Sequence, residues 1–424
     1  MSSDGRSSGV SFAVDEETRL VLDSLTEFVA QEVRPVEEEL GETYANPRLG
    51  RRTDGRLAPE VVDAIERVRR KSAEAGFYAM NMPESVGGGG VSNVTWYRAK
   101  VHVAAMGGGL AEHVLAGPEG PKPLLLGADD RQRRRYLEPV VRGEKSTAFA
   151  LTEPGVGSDA PNMATSASRN PTEGTSAAPQ DATSASRDGD EWVLNGRKQW
   201  ITNGPYADFV QVFARTTPQA EAGRYGGITC FLVEADEFEV GSTNNAVGME
   251  GMQGELVFDD VRLPADRVLG EVDGAFYDAM NFLGLGRLEL GAEAVGHADY
   301  LLEECTEYAT EREAFGRPIG RFQQVASKVA RGVAKTGAAD AAGLRCAWQM
   351  DREEDVIEET SAFKWFATNT FWEVADDAVQ IHGASGLSEE NPFMDHLHLA
   401  RILRVVEGTD EIQLNTVARQ RGLL

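Results

Sequence analysis

Apolar residues recur with two different periods along the chain, and the change of period divides it. Near the start, Val21, Leu25, Phe28 and Val29 fall at i, i+4, i+7 and i+8, a spacing that gathers side chains on one helical face. Pro35 follows and is expected to end or kink that helix, because its ring removes a backbone donor. Residues 41 to 58 read as a loop. VVDAIERVRRKSAEAG predicts a further helix stopped by Gly76, and the turn PESVGGGG separates it from the next apolar stretch. From about 146 to 265 the texture becomes that of strands. WVLNGRKQWITNG reads as two short strands paired across Asn195-Gly196, a dipeptide suited to a tight hairpin. GITCFLVEA and ELVFDDVRLP read as further strands. Beyond about 270 the long helical period returns, with Phe322, Val325, Val329 and Val333 on one stripe. The expectation is an α+β chain with a helical N-terminal domain over 1–145, a central β domain over 146–268 and C-terminal helices over 269–424.

One segment departs from both periods. ATSASR occurs at 164–169 and again at 182–187. The Ser, Thr, Ala and Pro around it cannot build a core, so 164–187 reads as a flexible surface insertion within the β domain.

Composition narrows the partners. A hydrophobic fraction of 41% supports packed cores. The formal charge of -26 argues against nucleic acid or an anionic membrane as a partner, since like charges repel. Acid excess with few lysines resembles proteins of salt-rich cytoplasm, where screening tolerates self-repulsion. Cys230, Cys305 and Cys346 are widely spaced and form no CxxC, so neither disulfides nor a zinc knuckle is expected. The polar opening MSSDGRSSGVS and the lack of a long apolar run point to a soluble, cytoplasmic protein.

Several stretches could carry chemistry, and none does so alone. Gly155, Gly157 and Ala160 in LTEPGVGSDA imitate a dinucleotide fingerprint, but Pro154 and Pro161 flank them, where that motif needs a strand and then a helix. What remains is a compact loop offering the Thr152 and Ser158 hydroxyls and glycine amides to a phosphate or a polar heterocycle. An ordinary turn would account for it. In KQWITNG the two-residue period sets Trp200 and Thr202 on one face, an indole beside a hydroxyl, as a flat ring system needs. A Trp packed in the sheet core is the plainer alternative. Arg312 could meet a phosphate or an acidic neighbour. His396 and His398 form an HxH without companion ligands, so no metal site is expected. RVVEGTDEIQ drives two β-branched residues into Glu407, which a solvated helix end would explain.

Taken together and in order, AEAGFYAMNMPESVGGGG, LLLGADDRQRRRYLEPVVRGE, LTEPGVGSD, KQWITNG, ELVFDDVRLPADRVLG, EREAFGRPIG, VQIHGASG and EGTDEIQ resemble the acyl-CoA dehydrogenase flavoproteins. The resemblance implies a helical N-terminal domain, a central β domain and a C-terminal four-helix bundle, with FAD bound in a homotetramer. It implies that Phe149, Leu151, Thr152, Gly157 and Ser158, with Trp200, Ile201 and Thr202, line the flavin. It places Arg312, Phe315 and Gln323, and the turn of Gln380, Gly383 and Ala384, on the pyrophosphate and adenosine part. Thr409 and Glu411 match positions beside the cofactor. Ser158, Arg287 and Gly408 match positions near the acyl-CoA, and Glu407 matches the catalytic base.

A base that removes an α-proton from a thioester needs a carboxylate tuned upward, and Val405 and Val406 suit that. Some branches carry the base on the preceding long helix, where this chain has Gly286. Gly284, Ala384 and Val406 depart from common family residues and leave acyl-chain preference open. The implied activity is α,β-dehydrogenation of an acyl-CoA, with electrons passed to an electron-transfer flavoprotein. An oxygen-using acyl-CoA oxidase of the same fold, or a non-catalytic binding homologue, is the alternative. Monooxygenases of this fold do not need the carboxylate at 407.

Overall fold

A computed structural model describes residues 13–45, 50–163, 184–188 and 191–424. In chain order it shows the expected succession of helices, strands and helices. The chain forms two compact units, each drawn from separate stretches. One is helical and comprises the stretch ending at Ala30, Val91–Gly109 and Gly284–Leu424. The other comprises Gln31–Gly90 and Leu110–Leu283 and carries the sheet. Among the described residues no helix is long and apolar enough to cross a membrane.

The N-terminal stripe behaves as its spacing requires, with Leu25 and Val29 buried. Pro35 does not end the helix. The turn Val29–Val33 widens into a π-helix, and Pro35 sits in the first turn of Arg34–Leu40. There its missing amide hydrogen leaves no intrahelical bond unmade.

In the sheet unit, strands β1 (Thr147–Ala150), β2 (Ser184–Asp188), β3 (Glu191–Thr202), β4 (Phe209–Arg215), β5 (Ile228–Glu234), β6 (Glu239–Asn244), β7 (Gln253–Pro264) and β8 (Val268–Leu269) form one sheet. Its order is β6-β7-β3-β2-β4-β5-β8, with β1 parallel to β4. Two expectations from the sequence do not hold. Asn195-Gly196 is not a hairpin turn but lies inside β3, at a register shift against β7. The Asn195 side chain donates to Asp260 and accepts from the Asp260 amide, at 2.9 and 2.6 Å, so the dipeptide makes a bulge instead of reversing the chain. The second copy of the repeat is not wholly an insertion either. Its residues from Ser184 on form β2, antiparallel to β3 from Ser184↔Asn195 to Asp188↔Glu191. The first copy, at 164–169, lies outside the described residues.

One face of this sheet packs Phe209, Phe213 and Leu232 against Tyr136 and Leu137. The other buries Val210, Val212 and Phe231. The same unit holds a buried ion pair, His113 Nδ1 to Glu119 Oε1 at 3.0 Å.

The helical unit packs the long helices Gln323–Met350, Ile357–His382 and the Gly284-onward part of Ala275–Glu311 around Leu288, Leu301, Phe363 and Phe371. Close approach is set by glycine. A Cβ on Gly291 would overlap the Phe363 ring, and one on Gly343 would overlap the Tyr97 hydroxyl. Val325 and Val329 pack on this core, but Val333 is exposed. At that level the helix buries Gly332 instead, whose hydrogen lets Leu302 approach.

Candidate active site

In the sheet unit the chain turns back directly after β1. Glu153 and Val156 exchange backbone hydrogen bonds of 3.0 and 3.1 Å around Pro154-Gly155. Among the described residues, only the short turn Ala160–Asn162 follows before β2. No long helix opens at the glycines, so the dinucleotide resemblance is superficial, as the flanking prolines require.

Two buried cations hold this loop. Lys198 Nζ, which has no exposed surface, donates to the Leu151 carbonyl at 3.0 Å and to Glu153 Oε1 at 2.9 Å. At the other end Arg215 donates to the Pro161 carbonyl at 2.7 Å. Burial draws both cations below their usual ranges, while the Glu153 charge pulls the other way. Between the clamps Thr152 is half-buried and Gly157 and Ser158 are exposed. Phe149 packs on Phe213, with ring centroids 4.7 Å apart. None of Lys198, Glu153 or Arg215 stood out in the sequence, although a lysine within an apolar strand is a readable signal.

Trp200 is not a core residue. Its indole is 49% exposed, its φ is 61°, and it sits where β3 and β7 lose register. Ile201 takes the buried place at 2% exposure. The irregularity breaks the strict alternation that the sequence suggested for Trp200 and Thr202. Thr202 is half-buried, and its hydroxyl accepts from Gln253 Nε2 at 3.2 Å.

In the helical unit, Glu407 lies in the turn between Phe393–Leu403 and Asp410–Gln420. Glu407 and Gly408 have φ of 50° and 95°. The residue stays exposed at this left-handed pair, so the apolar approach does not bury it. Val405 is 49% exposed, Glu407 is exposed, and Val406 alone of the two valines packs on the core. Desolvation by the valines, expected from the sequence, is therefore not built into the turn.

The carboxylate lies against Gly286, where a Cβ would overlap its Oε2. The next residue, Arg287, is buried, and its guanidinium donates to Ser361 Oγ at 3.1 Å while its Nε has no hydrogen-bond partner. Burial lowers the Arg287 pKa, against the pull of the Glu407 charge. From beneath, Lys364 Nζ donates to the Gly408 carbonyl at 2.8 Å. Gln413 Nε2 donates to the carbonyls of Glu407 and Gly408, each at 3.0 Å. Sequence reasoning passed over both residues. Thr409 caps the last helix by accepting from the Ile412 amide at 3.4 Å, and its hydroxyl holds the Glu411 carboxyl below its ordinary range.

The remaining expected positions form two exposed groups. Arg312 follows the long helix into the strands Glu313–Ala314 and Arg317–Pro318, with Phe315 at their tip, 97% exposed at φ 54°. Gln323 opens the next helix. Gln380 lies near the end of Ile357–His382, and Gly383 and Ala384 form the turn beyond it.

Comparison with known proteins agrees across the chain. It matches the family descriptions "Acyl-CoA dehydrogenase, N-terminal domain" over residues 15–144, "middle domain" over 148–261 and "C-terminal domain" over 274–422. It is 32% identical to "3-(aryl)acrylate reductase" of Clostridium sporogenes, over 95% of this chain and 98% of that protein. It is also 32% identical to "Caffeyl-CoA reductase-Etf complex subunit CarC" of Acetobacterium woodii, over 84% and 92%. The crystal structure of an acyl-CoA dehydrogenase from Geobacillus kaustophilus superposes with a TM-score of 0.81 at 26% identity, covering 97% of this chain and 100% of the other. With all three domains matched in order, the chain belongs to the acyl-CoA dehydrogenase family of oxidoreductases acting on CH–CH bonds.

Proposed function

We propose that the protein is an FAD-dependent acyl-CoA dehydrogenase in which Glu407 removes the α-proton of the thioester to give the trans-2-enoyl-CoA. The observation that carries this is the Glu407 turn, where a carboxylate is held at a strained backbone position against Gly286, beside Arg287. Strain that the surroundings hold in place at an exposed carboxylate is a mark of a working group.

The residues fit a flavin and a thioester. The exposed Trp200 indole offers a stacking surface, the Thr202 hydroxyl a polar partner, and the loop around Gly157 and Ser158 an accessible backbone. The unpartnered Arg287 Nε suits a polar group of a ligand. FAD, when bound, supplies the acceptor for the β-hydride. Phe149, Leu151, Thr152, Ile201, Arg312, Phe315, Gln323, Gln380, Gly383, Ala384, Thr409 and Glu411 are the further residues proposed to hold it.

Glu407 receives the proton at its carboxylate, and Gly408 leaves room beside it for the thioester. Because the free turn is open to water, the bound acyl chain itself must supply the desolvation that raises the base toward neutrality. We further propose an electron-transfer flavoprotein as electron acceptor, a homotetrameric assembly and a cytoplasmic location. An Etf complex is part of one relative's name.

A second reading is supported by two relatives named as reductases, one of a 3-(aryl)acrylate and one of caffeyl-CoA. Run in reverse, Glu407 would return the proton to the α-carbon of an enoyl thioester, whose β-carbon takes its hydride from reduced FAD, recharged by the electron-transfer flavoprotein. Anaerobic mixing decides. Bleaching of the flavin by a saturated acyl-CoA, abolished in Glu407→Gln with FAD retained, supports dehydrogenation, and substantial residual bleaching in that variant removes Glu407 as the base. Fast reoxidation of the bleached enzyme by air would assign an oxidase. Reoxidation by cinnamoyl-CoA without bleaching by its saturated counterpart would assign the reductase.

A further inference from the structure

Beneath the Glu407 turn lies a lysine that the reaction, as described so far, leaves unused. Lys364 stands on the inner face of Ile357–His382 with no exposed surface. It is one of eight lysines in the chain. Burying an ammonium group is costly unless nearby charge and hydrogen bonds compensate. The charged groups acting on it are Asp410, Glu407, Arg287 and Arg404, two carboxylates against two cations. Burial brings Lys364 down to about 8, although Asp410 and Glu407 oppose this, so it is still protonated at neutral pH.

The hydrogen bonds converge on one short segment. Lys364 and Gln413 share the Gly408 carbonyl, and Gln413 also binds the Glu407 carbonyl. Asp410 is held by Arg404 at 2.7 Å and by Asn369 Nδ2 at 3.2 Å. Residues 407, 408 and 410 are thus each held by side chains of the helical unit. These bonds offset the cost of a left-handed backbone at a non-glycine residue.

Resting on the assignment of Glu407 as base, we propose that Lys364 is its positioning residue. It fixes the left-handed turn through the Gly408 carbonyl, and its buried positive charge attracts the Glu407 carboxylate. Two consequences follow from the two roles. Acting through the carbonyl, Lys364 shares its task with the neutral Gln413. Acting through charge, it adds to the cations Arg287 and Arg404, and it counters the upward tuning that a bound acyl chain imposes.

The test uses the FAD-loaded enzyme and whichever of butyryl-, octanoyl-, palmitoyl- or 3-phenylpropionyl-CoA bleaches the wild-type flavin fastest. The rate of anaerobic bleaching is followed against pH for wild type, Lys364→Met, Lys364→Arg and Gln413→Ala. Lys364→Met is expected to move the acid limb upward by about one pH unit, the lower end of the effect of a nearby opposite charge. Lys364→Arg keeps the charge and should leave the limb in place while lowering the maximal rate. Gln413→Ala should lower the rate without moving the limb. Hydrogen exchange of the 404–410 segment, read without substrate, should quicken in Lys364→Met and in Gln413→Ala. An acid limb unmoved in Lys364→Met, or moved equally by Gln413→Ala, overturns the charge role. Unchanged exchange in both variants overturns the holding role. Failure of the base assignment shows separately, as flavin bleaching that survives in Glu407→Gln.

Discussion

A Cβ placed on Gly286 would coincide with the Glu407 carboxylate. By the family resemblance Gly286 matches the position where some branches are expected to carry the base, and in this chain the side chain of Glu407 lies against it. The two positions are alternatives in the same volume, and glycine at one is what admits the carboxylate from the other. Gly286→Ala is expected to retain flavin and fold but to displace the carboxylate. A misplacement of about 1 Å at a reacting group can cost about a hundredfold in rate. Stopped-flow flavin bleaching in Gly286→Ala measures it, and a rate within twofold of wild type would show that the carboxylate works from elsewhere.

The buried Lys198–Glu153 pair should make itself felt in stability. Lys198→Met leaves Glu153 buried without its cation, a change that costs about 3–5 kcal/mol in comparable pairs. The double variant Lys198→Met/Glu153→Gln should recover part of the loss, since neither charge is then left alone. Urea unfolding of the two single variants and the double variant reads the coupling directly.

Trp200 combines an exposed indole with a left-handed backbone. Trp200→Gly therefore removes about 1–2 kcal/mol of backbone strain and no core packing. The thermal midpoint of the flavin-free protein should stay level or rise slightly. Flavin retention should fall at least about tenfold, because an aromatic contact and its buried area are lost. A falling midpoint with unchanged flavin affinity would return Trp200 to a structural role.

The His113–Glu119 pair gives stability a pH window. Burial alone would raise the Glu119 carboxyl, but the His113 hydrogen bond and charge outweigh it and hold it at about 2. His113 is opposed by burial and raised overall by Glu119. The Glu119 contribution is complete above the ordinary value of 4.5 and is lost as the pH falls toward 2. The His113 contribution is complete below the ordinary value of 6.5 and is lost as the pH rises through its elevated folded value. Melting temperatures should therefore be highest between 4.5 and 6.5 as far as this pair decides them. His113→Asn should lower the melt most inside that window, and an equal loss at every pH would exclude the linkage.

Much of this architecture was legible in the chain because its signals are periodic. Leu25 and Val29 are buried where a 3.6-residue period puts them, and β5 and β7 follow their apolar runs. The errors have local causes. Asn195-Gly196 carries the residue types of a hairpin turn, but the same left-handed tolerance also makes a bulge, and only the partner Asp260 decides between them. Residues of the second repeat copy lack side chains that build a core, yet a strand needs only backbone partners, and β3 provides them. Glu407 drew notice through the motif around it, and its role as base is proposed. Lys364 and Gln413 were not, because their meaning comes from a carbonyl more than forty positions from one of them and only five from the other. Spacing rules say nothing about such a meeting.

The left-handed backbone at Glu407 also sets the chain's stability against its usefulness. Glycine accepts that conformation freely, so Glu407→Gly should leave the fold as stable as before or more stable by up to about 1 kcal/mol. Selection for robustness alone would favour such a replacement, and so would a laboratory screen for heat resistance. The residue proposed to do the chemistry therefore occupies the place where the fold would most readily give it up.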